Sequence, residues 1–319
     1  MVIEVICYIL IGLGVFFALP STIYSCMFLG IFHRQRSIML EKDDLTGTQY
    51  LQFSERFKTD ILRARSIPCE RVTLQAKDGI KLLGRYYDKQ SDKTMLFVHG
   101  YQSNAFNNFS AVMMDVLDQG FNVLLIDQRA HGESGGHFTT MGHREKDDLM
   151  QWIEHAEGKN GVEHIFIYGI SMGATTIGYA SEHIQSSKVK GLVMEAGFTC
   201  FYDELDGSLG QVFMRKASMN YIYLSAKSFL KADIKQSIEG SLKNNKIPVL
   251  FLHGDVDKDV SIDFTKRCFS VCAAPKKMVT VEGAEHTFCY LKGGESVRNE
   301  IHNFIKECIN SKNEVALNG

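Results

Sequence analysis

Six short apolar runs recur along the chain: TMLFV (94–98), NVLLI (122–126), HIFIY (164–168), KGLVM (190–194), IPVLFL (247–252) and KMVTV (277–281). Runs this short, rich in Val, Ile and Phe, suit strands buried on both faces. Helix-length segments separate or follow them at about 104–118, 141–157, 172–185, 261–272 and 294–310. Strand followed by helix, repeated over more than 200 residues, implies a mainly parallel sheet with helices on both faces. Ahead of the pattern, ERVTLQA (70–76) and IKLLGRYY (80–87) flank Asp78-Gly79, a hairpin signal that adds an antiparallel edge. The expectation is an α/β domain on an eight-stranded sheet.

The N-terminus follows a different rule. From Val5 to Phe32 the chain carries no charge, 28 positions in all. At a rise of about 1.5 Å per residue, that length would cross roughly 30 Å of hydrocarbon. Pro20-Ser21-Thr22 would kink such a helix without forbidding it. A signal peptide normally has a basic start and a shorter apolar region, whereas only Glu4 precedes this run. A buried core helix is the remaining rival. The organisation expected is a membrane anchor over 1–36, a polar connector over 37–69, a domain over 70–312 and a tail over 313–319. His33, Arg34 and Arg36 follow the span and no Lys or Arg precedes it, so the positive-inside rule puts the domain in the cytoplasm.

Composition removes several function classes. A net charge of -2 with scattered basic residues gives no reason to expect nucleic acid. No G-x-G-x-x-G follows a strand, so no dinucleotide cofactor is expected. H-E-x-x-H is absent, and His131, His137 and His143 lie in glycine-rich segments without a metal-ligand pattern. The eight cysteines include no C-x-x-C pair and read as free thiols.

In parallel sheets of this type, substrates bind at the carboxyl ends of the strands. Reactive residues should therefore lie just past strands, far apart in sequence. Ser171, within Y-G-I-S-M-G-A, follows HIFIY and opens a helix rich in small residues, the context of a nucleophile elbow. The helix N-terminus favours negative charge developing there. His99-Gly100-Tyr101 follows TMLFV. The backbone N–H of Tyr101, paired with that of Met172, would form a two-donor oxyanion hole. His99 itself reads as a structural hydrogen bonder.

IPVLFL leads into HGDVDKDV, which offers Asp257 with Asp255 and Asp259 as neighbours; KMVTV leads into EGAEHTF, which offers His286. Glu195, directly after KGLVM, is a second candidate acid. Acyl transfer needs an alcohol, an imidazole to take its proton and a carboxylate to orient that imidazole. Ser171, Asp257 and His286 supply these at strand ends, in the chain order this sheet architecture uses.

The stretches FVHGYQSN, DQRAHGESGG, YGISMGA, MEAGF, LFLHGDVDKDV and VEGAEHTF make residues 70–310 resemble an α/β-hydrolase. More narrowly, they resemble the bacterial membrane-anchored branch called serine aminopeptidase-like or esterase/lipase-like. The resemblance implies Ser171 as nucleophile, Asp257 as acid, His286 as base, and Tyr101 and Met172 as oxyanion donors. It also implies that Arg129 and His131 are structural. The expected activity is hydrolysis of a small acyl compound, first a carboxylic ester, with peptide, amide or thioester cleavage as alternatives and a silent membrane-tethered binding module as the rival class. Between Thr199 and Lys246 the chain spends 48 residues where one helix would suffice. This insertion, about 199–246, reads as a partial cap, with Phe201, Phe213, Met214 and Tyr223 as candidate walls of an acyl pocket.

Overall fold

The computed structural model describes residues 21–34, 49–208 and 215–317. Its helices are α1 (21–32), α2 (Gln49–Ser66), α3 (Ala105–Asp118), α4 (Glu145–Glu157), α5 (Met172–Ala180), α6 (Phe201–Ser208), α7 (Arg215–Ser225), α8 (Glu239–Asn244), α9 (Ile262–Val271) and α10 (Cys289–Leu317). A π-helical turn, Ala226–Leu230, follows α7, and α10 is interrupted at Gly294.

The strands are β1 (Glu70–Gln75), β2 (Lys81–Tyr87), β3 (Lys93–Val98), β4 (Asn122–Asp127), β5 (His164–Ile170), β6 (Val189–Glu195), β7 (Val249–Gly254) and β8 (Lys276–Val281). They form one sheet in the order β1-β2-β4-β3-β5-β6-β7-β8. β1 and β2 pair antiparallel, β2 joins β4 antiparallel, and the other pairs are parallel. The eight expected strands are all present, with shifts of a residue or two at their ends.

The apolar runs are buried because both faces of the sheet are covered. On one face Phe97, Tyr168, Val193 and Leu250 pack beneath α2, α3 and α10. On the other, Leu96, Ile167, Leu192 and Phe251 pack beneath α4, α5, α8 and α9. α3 shows how sequence sets such a layer. Asn104 caps it by accepting the Asn107 N–H, and Phe106, Phe109, Val112, Met113 and Val116 recur at helical spacing on its buried side. α4 starts later than expected because residues 139–144 wrap around Glu145, whose carboxylate accepts from the Thr139 and Thr140 hydroxyls and from the Thr140 and Gly142 N–H groups.

A third apolar cluster lies away from the sheet. Phe28 and Phe32 of α1 join Phe201 and Leu205 of α6, Met219 and Ile222 of α7, and Met141, Met172, Phe198 and Val260. This corrects the reading of 5–32 as one span. Phe32 is fully buried against the domain and Phe28 nearly so, each contributing about 1.5–3 kcal/mol. Polar contacts fix the same helix: Tyr101 donates its hydroxyl to the Ile31 carbonyl at 2.6 Å, and the Thr139 N–H reaches the Phe32 carbonyl at 2.9 Å. The Arg34 guanidinium donates to the Gly132 and Ser134 carbonyls. No helix among the described residues is long and apolar enough to cross a membrane. The rest of the expected anchor lies outside them.

The connector also differs from expectation, since 49–66 of it is helical. Ile61 and Ala64 of α2 are buried, and Phe57 meets the Phe288 ring edge-on. The seven described cysteines form no disulfide.

Candidate active site

Ser171 stands between the end of β5 and the start of α5 with φ 53° and ψ −119°. A non-glycine residue at such angles is strained and persists only where its surroundings force it. Here the forcing is close packing. A Cβ on Gly173 would lie 1.9 Å from the Val98 carbonyl oxygen, and one on Gly169 would lie 2.6 Å from the Gly173 backbone. Both glycines are therefore required for α5 to fold back onto the sheet so abruptly, which leaves the serine at the tip of the turn.

β8 ends at Val281, and the loop after it carries His286; β7 ends at Gly254, and the loop after it carries Asp257. The structure brings the three side chains into one hydrogen-bonded chain. His286 Nε2 lies 3.0 Å from Ser171 Oγ, and His286 Nδ1 lies 2.8 Å from Asp257 Oδ2. Asp257 is 1 % exposed and the His286 side chain 16 %, so the pair interacts largely out of water while the imidazole edge stays reachable. Burial pushes the Asp257 carboxyl up, but hydrogen bonds from His253 and His286, the His286 charge and the Val260 N–H together hold it well below the usual carboxylate range. Burial pulls His286 down, and the hydrogen bond and charge of Asp257 outweigh that and raise it above 6.5.

The expected oxyanion donors sit beside this chain. In the loop after β3, the Gly100 N–H is held by Asn108 Oδ1 and the Gln102 N–H by His131 Nε2, while no hydrogen bond within the described residues uses the Tyr101 N–H between them. At the elbow, the Ser171 N–H goes to the Glu195 carbonyl, and Met172 supplies the first N–H of α5. A Cβ on Gly100 would lie 3.3 Å from Ser171 Cβ, which places this loop against Ser171.

His99, Arg129 and His131 take supporting positions. His99 is buried; that burial, with His131 nearby, lowers it to about 4, and its Nε2 accepts the Gln128 N–H. Arg129 bridges Asp148 and Asp78. Of the neighbouring acids, Asp255 accepts the Gly283 N–H and ties the two loops together, and Asp259 stays on the exposed side. Glu195 does not reach His286 with a hydrogen bond. Its carboxylate instead accepts from the Tyr168 hydroxyl and the Cys289 N–H.

Phe201 lies in the apolar cluster with Met172, while Tyr223 packs at its margin, edge-on to Tyr202 and facing Lys235. Phe213 and Met214 lie outside the described residues.

Sequence reasoning missed three supports. Buried His253, four residues before Asp257, places Nε2 3.3 Å from Asp257 Oδ2. Gln49, at the start of α2, donates its N–H to the Glu285 carboxylate and its amide to the Gly283 carbonyl, clasping the His286 loop from outside. α1 holds the oxyanion loop through Tyr101. Only the first had a sequence signal, the histidine of LFLHGDVD. No group of three or more His, Cys, Asp or Glu among the described residues is arranged to hold a metal.

With this geometry in place, likeness to known proteins can be weighed. The family model described as serine aminopeptidase, S33, matches residues 89–222. The Bacillus subtilis (strain 168) protein YqkD is 29% identical over 225 residues, covering 66% of this chain and 70% of YqkD. The Danio rerio lysophosphatidylserine lipase ABHD12 is 24% identical over 290 residues, covering 83% of this chain and 72% of the lipase. Among solved structures, the Pyrococcus furiosus esterase Pf2001 superposes with a TM-score of 0.63 at 22% identity, covering 78% of this chain and 94% of the esterase. Est1E from Butyrivibrio proteoclasticus, with ferulic acid bound, gives 0.60 at 21% identity, covering 75% and 99%.

Sheet order and superposition on these structures show the α/β-hydrolase fold. The chain is similar to proteins described as esterases, a lipase and serine aminopeptidases.

Proposed function

We propose that this chain is a serine hydrolase that cleaves an acyl bond, a carboxylic ester first, through Ser171, His286 and Asp257. The observation that carries the reading is the continuous chain of hydrogen bonds from Ser171 Oγ through the imidazole to Asp257 at the carboxyl edge of the sheet. His286 Nε2 takes the Ser171 proton as Oγ attacks the carbonyl carbon. Asp257, kept ionised, supports the imidazolium that forms. The Tyr101 and Met172 N–H groups hold the oxyanion, and losing one such donor typically lowers turnover by about 10²–10³-fold. His286 then returns the proton to the leaving group, and water releases the acid by the same steps in reverse.

Relatives named esterase and lipase favour an ester, and the aminopeptidase description keeps the amide in view. A panel of p-nitrophenyl esters, acyl thioesters and aminoacyl amides tests the order. The expected result is fastest turnover of an ester and none by S171A. Faster turnover of an amide or thioester would transfer the assignment to that class, and no turnover of any by folded protein would favour a binding module.

We also infer attachment to a membrane through the uncharged stretch ahead of α1. That stretch runs from Val5 straight into a helix that leaves Ile23 50% and Leu29 47% exposed. In α7 and the turn after it, Leu224 is 59% and Phe229 65% exposed, and the Phe229 ring lies 6.3 Å from that of Phe28 in α1. Apolar side chains gathered this way suit an interface with lipid. Arg34 and Arg36 beyond the run put the domain on the cytoplasmic side.

A further inference from the structure

Glu195 is the last residue of β6 and has no exposure at all. A buried carboxyl is costly unless its oxygens are satisfied. Its satisfaction here links the two halves of the candidate site. Its main-chain carbonyl accepts the Ser171 N–H at 2.8 Å, fixing the elbow. One carboxylate oxygen accepts the Cys289 N–H at 3.1 Å, at the first residue of α10 and three residues beyond His286. The other accepts the Tyr168 hydroxyl, from β5 three residues before Ser171. A carboxylate at a helix N-terminus also meets the favourable end of the helix dipole. The loop it pins needs pinning, since Thr287 stands at φ 67°.

We propose that Glu195 is a positioning residue, which clamps the loop of the base to the strand end that holds the nucleophile. This rests on the serine-hydrolase reading above. The hydrogen bonds of His286 go to Ser171 and Asp257, so Glu195 acts through the backbone of the His286 loop. The groups facing His286 are Asp257 and Asp259 from the loop after β7 and Glu195 from β6. Those facing Glu195 are Tyr168 from β5 and Cys289 from α10. Burial raises the Glu195 carboxyl, and the Tyr168 and Cys289 donors oppose the rise.

Two substitutions test the clamp. E195A removes the acceptor and leaves the Cys289 N–H without its partner. Misplacing a reacting group by about 1 Å costs roughly 10²-fold, so kcat for a p-nitrophenyl ester should fall by about that factor with KM changed less than about threefold. E195Q keeps an acceptor for Cys289 but not the charge. It should retain kcat within about tenfold. Wild-type kcat in folded E195A, or an E195Q kcat as low as that of E195A, would overturn the proposal; should E195A not fold, an E195Q kcat lowered by well over tenfold overturns it. Labelling by a fluorophosphonate keeps the two claims apart. A wild-type chain that takes no label contradicts the serine-hydrolase reading, whereas labelled wild type with unaffected variants contradicts only the role of Glu195.

Discussion

Asp257 answers to four neighbours at once. Oδ1 accepts the Asp259 and Val260 N–H groups, each at 2.9 Å, while Oδ2 meets His286 and buried His253. This density of partners explains why it remains charged and why Asp255 and Asp259, two residues away on either side, do not replace it. The depressed carboxyl has a consequence for pH. Its contribution to stability is complete above the unfolded value, about 3.9, and fades as pH falls through the lower folded value. In the proposed mechanism activity is limited from the other side, because His286 would have to be neutral to act as base and its pKa is raised. The acid limb of kcat/KM should therefore lie above 6.5. D257N should lower kcat by about 10⁴-fold and move that limb to lower pH; a limb that stays in place would show that His286 is not the titrating group. Ser171, Asp257 and His286 were legible in the sequence because each follows a strand in a recognisable motif. Glu195 was visible only as a strand-end acid, because its partners Tyr168 and Cys289 come from other elements and share no local pattern with it.

At the scale of elements, the elbow depends on contact distances more than on propensity. α5 begins with small residues because β3 lies directly beneath it, and Gly173 has no room for a methyl group against the Val98 carbonyl. G173A should push α5 off the sheet, destabilise the domain by about 1–3 kcal/mol or more, and abolish turnover by moving Ser171. Thermal melting with an activity assay checks both; unaltered melting and activity would mean the elbow is looser than its packing shows. Strands were the most legible elements, since burial on both faces imposes one composition on them. α1 and α2 were the least. α1 is uncharged all along, a pattern shared by a membrane helix and by one docked on an apolar surface, and only the positions of Phe28 and Phe32 against the domain distinguish the two. α2 intersperses Phe53, Phe57, Ile61 and Ala64 with charged residues, so its buried stripe did not stand out within a polar segment.

For the whole molecule, α1, α6 and α7 share one apolar cluster, and Ile23, Leu29, Leu224 and Phe229 stay exposed around it. If this side lies on a bilayer, a reporter at Phe229 should enter it. The chain holds a single tryptophan, Trp152, which is fully buried and gives a fixed background. In full-length F229W bound to vesicles, brominated acyl chains should quench the added indole emission and leave wild-type emission unchanged. Vesicle-bound F229W with unquenched emission would show that the cap faces away from lipid.

The central claim is that Ser171 is made nucleophilic by residues distant in the chain, and intact-protein mass spectrometry after reaction with a fluorophosphonate tests it most directly. The account predicts one adduct per chain, mapped to Ser171, and almost none in folded H286A. A folded wild-type chain left unmodified, or an adduct formed at Ser171 equally fast without His286, would contradict it.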